Sequence, residues 1–385
     1  MNKKILYLEG FRGIAAFIVL ISHLKEMFNV EIYKNLLLNF VDIPFSKYFI
    51  HPFFHFFTNG NLAVHLFWVM SGYVISIKLF QLRDQNYLIS SFMKRYFRLM
   101  IPAFSSIIFA FILLSFGLMF NNELATYFEI EYSRNDWLFD LYNFEPNFIL
   151  MLKDGIWNTF FDFKYSSSYN GVLWTMNPEL YGSFACFFIF AVFSKHKLRH
   201  YIYILFFLLS IPLKIYWLGT FMIGFMLSDF DNNSFVKNTF IENVWKNVLS
   251  KKLINISFFM VVVFLSGIFH FKPFFNFLTS ILLILILMRT KSIQKLFINP
   301  FFLWLGKISF SLYLIHIPIL CSLTSWLFLF LKDKVGYIEN MLICSLVTIA
   351  TTFILAAFFT KYIDLKSVKI ANKIGAFFKE NKKVG

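Results

Sequence analysis

The sequence predicts an all-α fold, a polytopic membrane helix bundle of about ten transmembrane helices with both termini on the cytoplasmic side. Of 385 residues, 58% are hydrophobic, 22% are aromatic and only 15% are charged, whereas soluble domains carry about a quarter of charged residues. Apolar stretches near the length needed to cross a bilayer, about 20 residues, recur from one end of the chain to the other. No soluble domain of independent size fits between them. The basic residues cluster at the ends of these stretches, where topology signals stand.

The expected spans are 11–28, 60–80, 101–120, 172–193, 200–216, 217–228, 254–270, 274–288, 302–330 and 338–360. The first follows Met1, Asn2, Lys3 and Lys4, a start that resembles a secretory signal, but no small-residue cleavage site follows it, so it is read as a helix. The sixth span is short, and the ninth is long enough to break near Pro318. With the N-terminus inside, Lys78, Arg83, Lys94, Arg95 and Arg98 fall in the first inner loop and Lys195, Lys197 and Arg199 in the second. Lys237, Lys246, Lys251 and Lys252 fall in the third, followed by Arg289, Lys291 and Lys295. This orientation retains 26 of the 36 basic residues inside, as the positive-inside rule demands.

The same distribution argues against a nucleic-acid partner despite a net charge of +15 and in favour of membrane lipids. Residues 361–385 read as a basic cytoplasmic tail, with apolar positions from Ile363 to Phe377 suited to an anionic leaflet. The outer segment 121–171 holds eight acidic and three basic residues and is the best candidate for a lid or acceptor-binding loop. Cys186, Cys321 and Cys344 lack the spacing of zinc or redox sites. His51 and His55 stand four apart with no further ligand at metal-binding spacing, so no metal is expected.

Ionisable groups inside a bilayer are costly and therefore candidates for function. In the first span Arg12 and His23 are eleven residues apart, which returns to nearly the same helical face about 16 Å further along. One stripe thus offers a cation near the inner end and an imidazole in the outer half. Glu179 enters the membrane from outside in the fourth span, and the opposite helix direction puts it at about the depth of His23, where a carboxylate can orient an imidazole. His316 lies two residues before Pro318; a proline-broken helix is tolerated mainly beside a cavity, which makes His316 a wall of the site. Arg95 and Arg98 are placed to grip phosphates, although the positive-inside rule accounts for the same charges.

Five segments, LEGFRGIAAFIVLISH, FWVMSGYVIS, KRYFRLMIP, LWTMNPELYG and LGKISFSLYLIHIPI, occur in the order in which similar segments stand in the membrane acyltransferase-3 family, which the chain resembles over nearly its whole length. The resemblance implies a ten-span protein of the bacterial cytoplasmic membrane, with residues 1–360 as the acyltransferase domain. It implies O-acylation of a surface glycan such as lipopolysaccharide O-antigen or exopolysaccharide. His23 inherits the catalytic role with Arg12 and Glu179, and Arg95, Arg98 and a small-residue turn at Ser71 and Gly72 fall on the donor side. Trp174, Asn177, Tyr313 and His316, within the matching segments, are expected to bind the substrate. The chain departs from many members at Glu9, where they carry Asp, and at Asn177 and Pro178, where they carry Ser-Val.

The expected donor is acetyl-CoA or another acyl-CoA held against Arg95, Arg98 and Arg12. His23 then either takes the proton of the acceptor hydroxyl or carries the acyl group. Many relatives carry a fused extracytoplasmic esterase domain, so this chain is expected to act alone or with a separate extracytoplasmic partner. A glycan or lipid transporter would use the same buried polar residues, but it favours internally repeated halves, and none is evident. A scaffold subunit would tolerate replacement of Arg12, His23 and Glu179 together.

Overall fold

The computed structural model describes residues 5–28, 52–131, 135–232 and 252–380, and among them every regular element is a helix. In chain order these are α1 (Leu6–Met27), α2 (Pro52–Phe57), α3 (Gly60–Leu82), α4 (Gln85–Ser115), α5 (Asn121–Glu131), α6 (Asp136–Asp140) and α7 (Phe148–Lys153). There follow α8 (Met176–Phe193), α9 (Arg199–Ser210), α10 (Tyr216–Asn232), α11 (Lys252–Ile268), α12 (Pro273–Arg289) and α13 (Lys291–Phe297). The last are α14 (Pro300–Ile319), α15 (Ser325–Leu331), α16 (Tyr337–Phe359) and α17 (Leu365–Glu380). A π-helical turn, Asp154–Asn158, extends α7, and a 3-10 turn, Gly171–Thr175, leads into α8.

Each of the ten apolar stretches contains helix among the described residues. Six described helical stretches are long and apolar enough to cross, Leu6–Met27, Gly60–Leu82, Gln85–Ser115, Gly171–Phe193, Pro300–Leu331 and Tyr337–Phe378. The number is seven if α12 and α13, bent by 98° at their junction, count as one span. α9 has only 12 residues, about 18 Å of helix against a hydrocarbon core of about 30 Å.

Local sequence sets the boundaries near the site. The Asn59 side chain accepts from the Leu62 N–H at 3.0 Å to start α3, and Asp84 accepts from the Asn86 N–H at 2.9 Å to start α4. Between α3 and α4, Arg83 turns the chain with φ 49°. In α14, Pro318 brings no N–H to the carbonyl of Leu314, four residues earlier. Asn170 replaces the missing donor, its Nδ2 bonding Leu314 O at 2.7 Å. Directly after the proline the helix widens into a π-helical turn, Leu320–Thr324, before α15.

α1 lies against α3 and α14. A methyl group at Gly13 would strike the backbone of Leu305 and Gly306, and one at Gly306 would strike the Glu9 carbonyl. These two glycines let the helix backbones touch, the close approach that small residues permit in membranes. α17 packs along α4: the Arg98 Nη1 donates to Asp364 at 2.6 Å and to Ser367 at 3.0 Å. The segment read as a tail on the inner leaflet is thus continuous with α16 through the turn Thr360–Asp364 and docked on the bundle.

Candidate active site

Both polar groups of the α1 stripe meet α14. Arg12 donates from Nε to Ser309 Oγ at 3.0 Å, and His23 Nδ1 lies 2.9 Å from His316 Nε2. His316 Nδ1 lies 3.2 Å from the carbonyl of Leu312. A carbonyl can only accept, so His316 Nδ1 carries the proton and its Nε2 presents a lone pair. The bond between the two rings then needs the proton on His23 Nδ1, which leaves His23 Nε2 with an unshared lone pair. His316 is fully buried, and the Trp137 ring lies parallel to His23, 5.6 Å between centroids with a 12° tilt.

Glu179 does not orient His23. Its carboxylate accepts from Ser71 Oγ and from Arg95 Nη2, each at 2.5 Å, and Arg95 Nε donates to Ser183 Oγ at 2.8 Å. The physical reason is the glycine contact between α1 and α14, which brings His316 rather than the α8 carboxylate against the imidazole. Residues from α3, α4 and α8 instead form one buried network around the Arg95 guanidinium.

Two cavities meet at this network. The smaller, about 140 Å³, is bordered by Arg12, Ser71, Arg95, Arg98, Glu179 and Tyr313, among others. The larger, about 690 Å³, shares Arg12, Ser71 and Arg95 and extends to Glu9, Lys78, Gln81 and Asp231. Its size is that of small-molecule sites, about 300–1,000 Å³. Neither histidine borders either cavity. Tyr313 borders the smaller one, with its ring 5.9 Å from that of His316 and its hydroxyl donating to Val172 O at 2.7 Å.

The other expected site residues divide. Ser71 borders both cavities, but Ser71 and Gly72 are not in a turn; they lie within α3. Gly72 faces the Phe221 carbonyl of α10, which a methyl group would strike, and borders neither cavity. Arg98 borders the smaller cavity while its guanidinium is held by Asp364. Trp174 is exposed and stands edge-on to Trp68. Asn177 donates to the Phe160 carbonyl at 2.7 Å and fastens α8 to the outer segment; neither residue borders the two cavities.

Sequence reasoning missed Ser309, Asp364 and Trp137, whose partners Arg12, Arg98 and His23 are 297, 266 and 114 residues away in the chain. Ser309 stood beside His316 in one matching segment, and that was its only signal. His51 lies outside the described residues, as do Lys237, Lys246 and Lys251, while His55 stacks on His270 with centroids 4.3 Å apart. Among the described residues no three His, Cys, Asp or Glu side chains are placed to hold a metal ion.

The model of one family, described as an acyltransferase domain, matches residues 5–359. An O-acetyltransferase from Phomopsis amygdali, PaAT-1, is 24% identical over 424 aligned positions, covering 95% of this chain and 83% of the relative. No solved structure matches. With its apolar helices, the chain belongs to the acyltransferase-3 family and is a membrane acyltransferase of groups other than aminoacyl groups.

Proposed function

We propose that the protein is an O-acetyltransferase that moves an acetyl group from cytoplasmic acetyl-CoA, or another acyl group from its CoA thioester, to a hydroxyl of a cell-surface glycan at a bacterial cytoplasmic membrane. The single observation that carries the reading is the chain of bonds from Leu312 O through His316 to His23, because it leaves His23 Nε2 free to act as a base. The likeness to an O-acetyltransferase supports acetyl as the group and a hydroxyl as the acceptor.

The larger cavity suits a phosphorylated thioester: Arg12, Lys78 and Arg95 border it, and cations of this kind hold phosphates by charge-assisted bonds. The acyl end is directed to the smaller cavity and Tyr313. His23 Nε2 takes the proton of the acceptor hydroxyl as its oxygen attacks the thioester carbonyl. The carbon–sulfur bond breaks, the thiolate leaves, and the imidazolium returns the proton to sulfur. The His316 lone pair holds the His23 Nδ1 proton throughout and stabilises the charged ring. Tyr313 borders the smaller cavity with its ring 5.9 Å from that of His316, so in this account the acyl end passes Tyr313 to reach the histidine pair.

Purified protein incubated with radiolabelled acetyl-CoA and a panel of glycans tests the reading. Alkali-labile label on a glycan, matched by released CoA thiol, is the expected result. Binding or translocation of glycan with no thiol release would support a transporter and overturn it.

A further inference from the structure

The two nitrogens of His23 have different surroundings. Nδ1 is engaged by His316, whereas Nε2 lies 4.0 Å from the Glu26 carboxylate on the next turn of α1. That gap is too long for a direct hydrogen bond. The His23 side chain is 20% exposed and that of Glu26 48% exposed, so the corner between them is open. Trp137 walls it on one face of the imidazole.

The corner is held in place by a buried side chain. Asn135 Nδ2 donates to the carbonyls of Glu26 and Met27, each at 3.0 Å, and its Oδ1 accepts from the Leu138 N–H at 3.2 Å. One amide therefore fastens the end of α1 to the start of α6, two residues from Trp137.

We propose that Glu26 and Trp137 form the acceptor subsite beside His23 and read a vicinal diol of a sugar ring. The hydroxyl to be acylated donates to His23 Nε2, and its neighbour donates to the Glu26 carboxylate. Two acceptors 4.0 Å apart can each take a hydrogen bond from one of two neighbouring hydroxyls. A carboxylate is an acceptor-only group with capacity for such a donor. The flat indole supplies an apolar wall for the C–H edge of the ring, as aromatic side chains do in ligand sites. The inference rests on the base role of His23 and adds which second hydroxyl is read, and by which groups.

The test uses the full chain in proteoliposomes with radiolabelled acetyl-CoA. The acceptors are methyl glycosides that carry a vicinal diol and their monodeoxy analogues. Wild type is expected to prefer the diol; Glu26→Gln is expected to lose most of that preference and to raise the acceptor KM about tenfold or more, or about 1.4 kcal/mol, with the donor KM unchanged. Trp137→Ala is expected to raise the acceptor KM as well, and Trp137→Phe to recover most of it. If Trp137→Ala fails to fold, Trp137→Phe and the exposed Glu26→Gln carry the test. Wild-type discrimination and acceptor KM retained in Glu26→Gln overturn the subsite while transfer still depends on His23. Transfer that survives His23→Ala overturns the underlying reading instead.

Discussion

Arg95 and Arg98, three residues apart on α4, have different fates. Arg95 bonds Glu179 and Ser183 inside the bundle and borders both cavities, while Arg98 reaches across to Asp364, in the turn before the C-terminal helix, and Ser367 on it. Side chains of Arg95 and Glu179 are only 15% and 13% exposed, so removing one partner leaves a buried charge unpaired. Arg95→Ala is therefore expected to destabilise the protein by about 3–5 kcal/mol, and Glu179→Gln made together with it to restore part of the loss; thermal unfolding in detergent measures both. Equal melting temperatures for wild type and Arg95→Ala would show that the pair is not a stabilising contact. At this scale the sequence disclosed much. The spacing of Arg12 and His23 put them on one face, and both do face α14. Their partners were not legible, because Gly13 and Gly306 determine which helix touches which, and a glycine names no neighbour.

Among the elements, the outer segment shows how burial tunes a group. Asp154, in the turn after α7, is 4% exposed; burial raises its carboxyl to about 6, against the bonds from the Tyr169 N–H and the Ser168 hydroxyl, which lower it. The folded protein then holds a proton between about pH 4 and 6 that the unfolded chain has lost. Stability accordingly falls as pH rises through that window, by up to about 3 kcal/mol, and is level above it. Asp154→Asn is expected to flatten this slope, as read from melting temperatures between pH 4 and 7; an unchanged slope would place its origin elsewhere. The sequence marked the segment as a candidate lid or acceptor-binding loop. Its anchors, Asn135 on the end of α1 and Asn170 on Leu314 O, could not be foreseen, since each depends on a carbonyl exposed by a helix end or by Pro318.

For the whole molecule, hydropathy located the long apolar helices, of which six or seven described stretches are long and apolar enough to cross a membrane. α9 is short, and α10 buries Asp229 against Arg199 and His200, so apolar composition there serves packing between helices as well as contact with lipid. The C-terminal helix, amphipathic by sequence, docks on α4 through an ion pair that only the folded chain reveals. What unites these elements is a single imidazole, bonded to His316 of α14 and stacked on Trp137, with the exposed Glu26 carboxylate beside it. The decisive measurement is acetyl transfer by His23→Ala protein whose melting temperature equals that of wild type. Loss of transfer by at least about 100-fold, with the donor KM preserved, is the predicted result, and transfer within about twofold of wild type, too little to matter in a catalytic barrier, would contradict it.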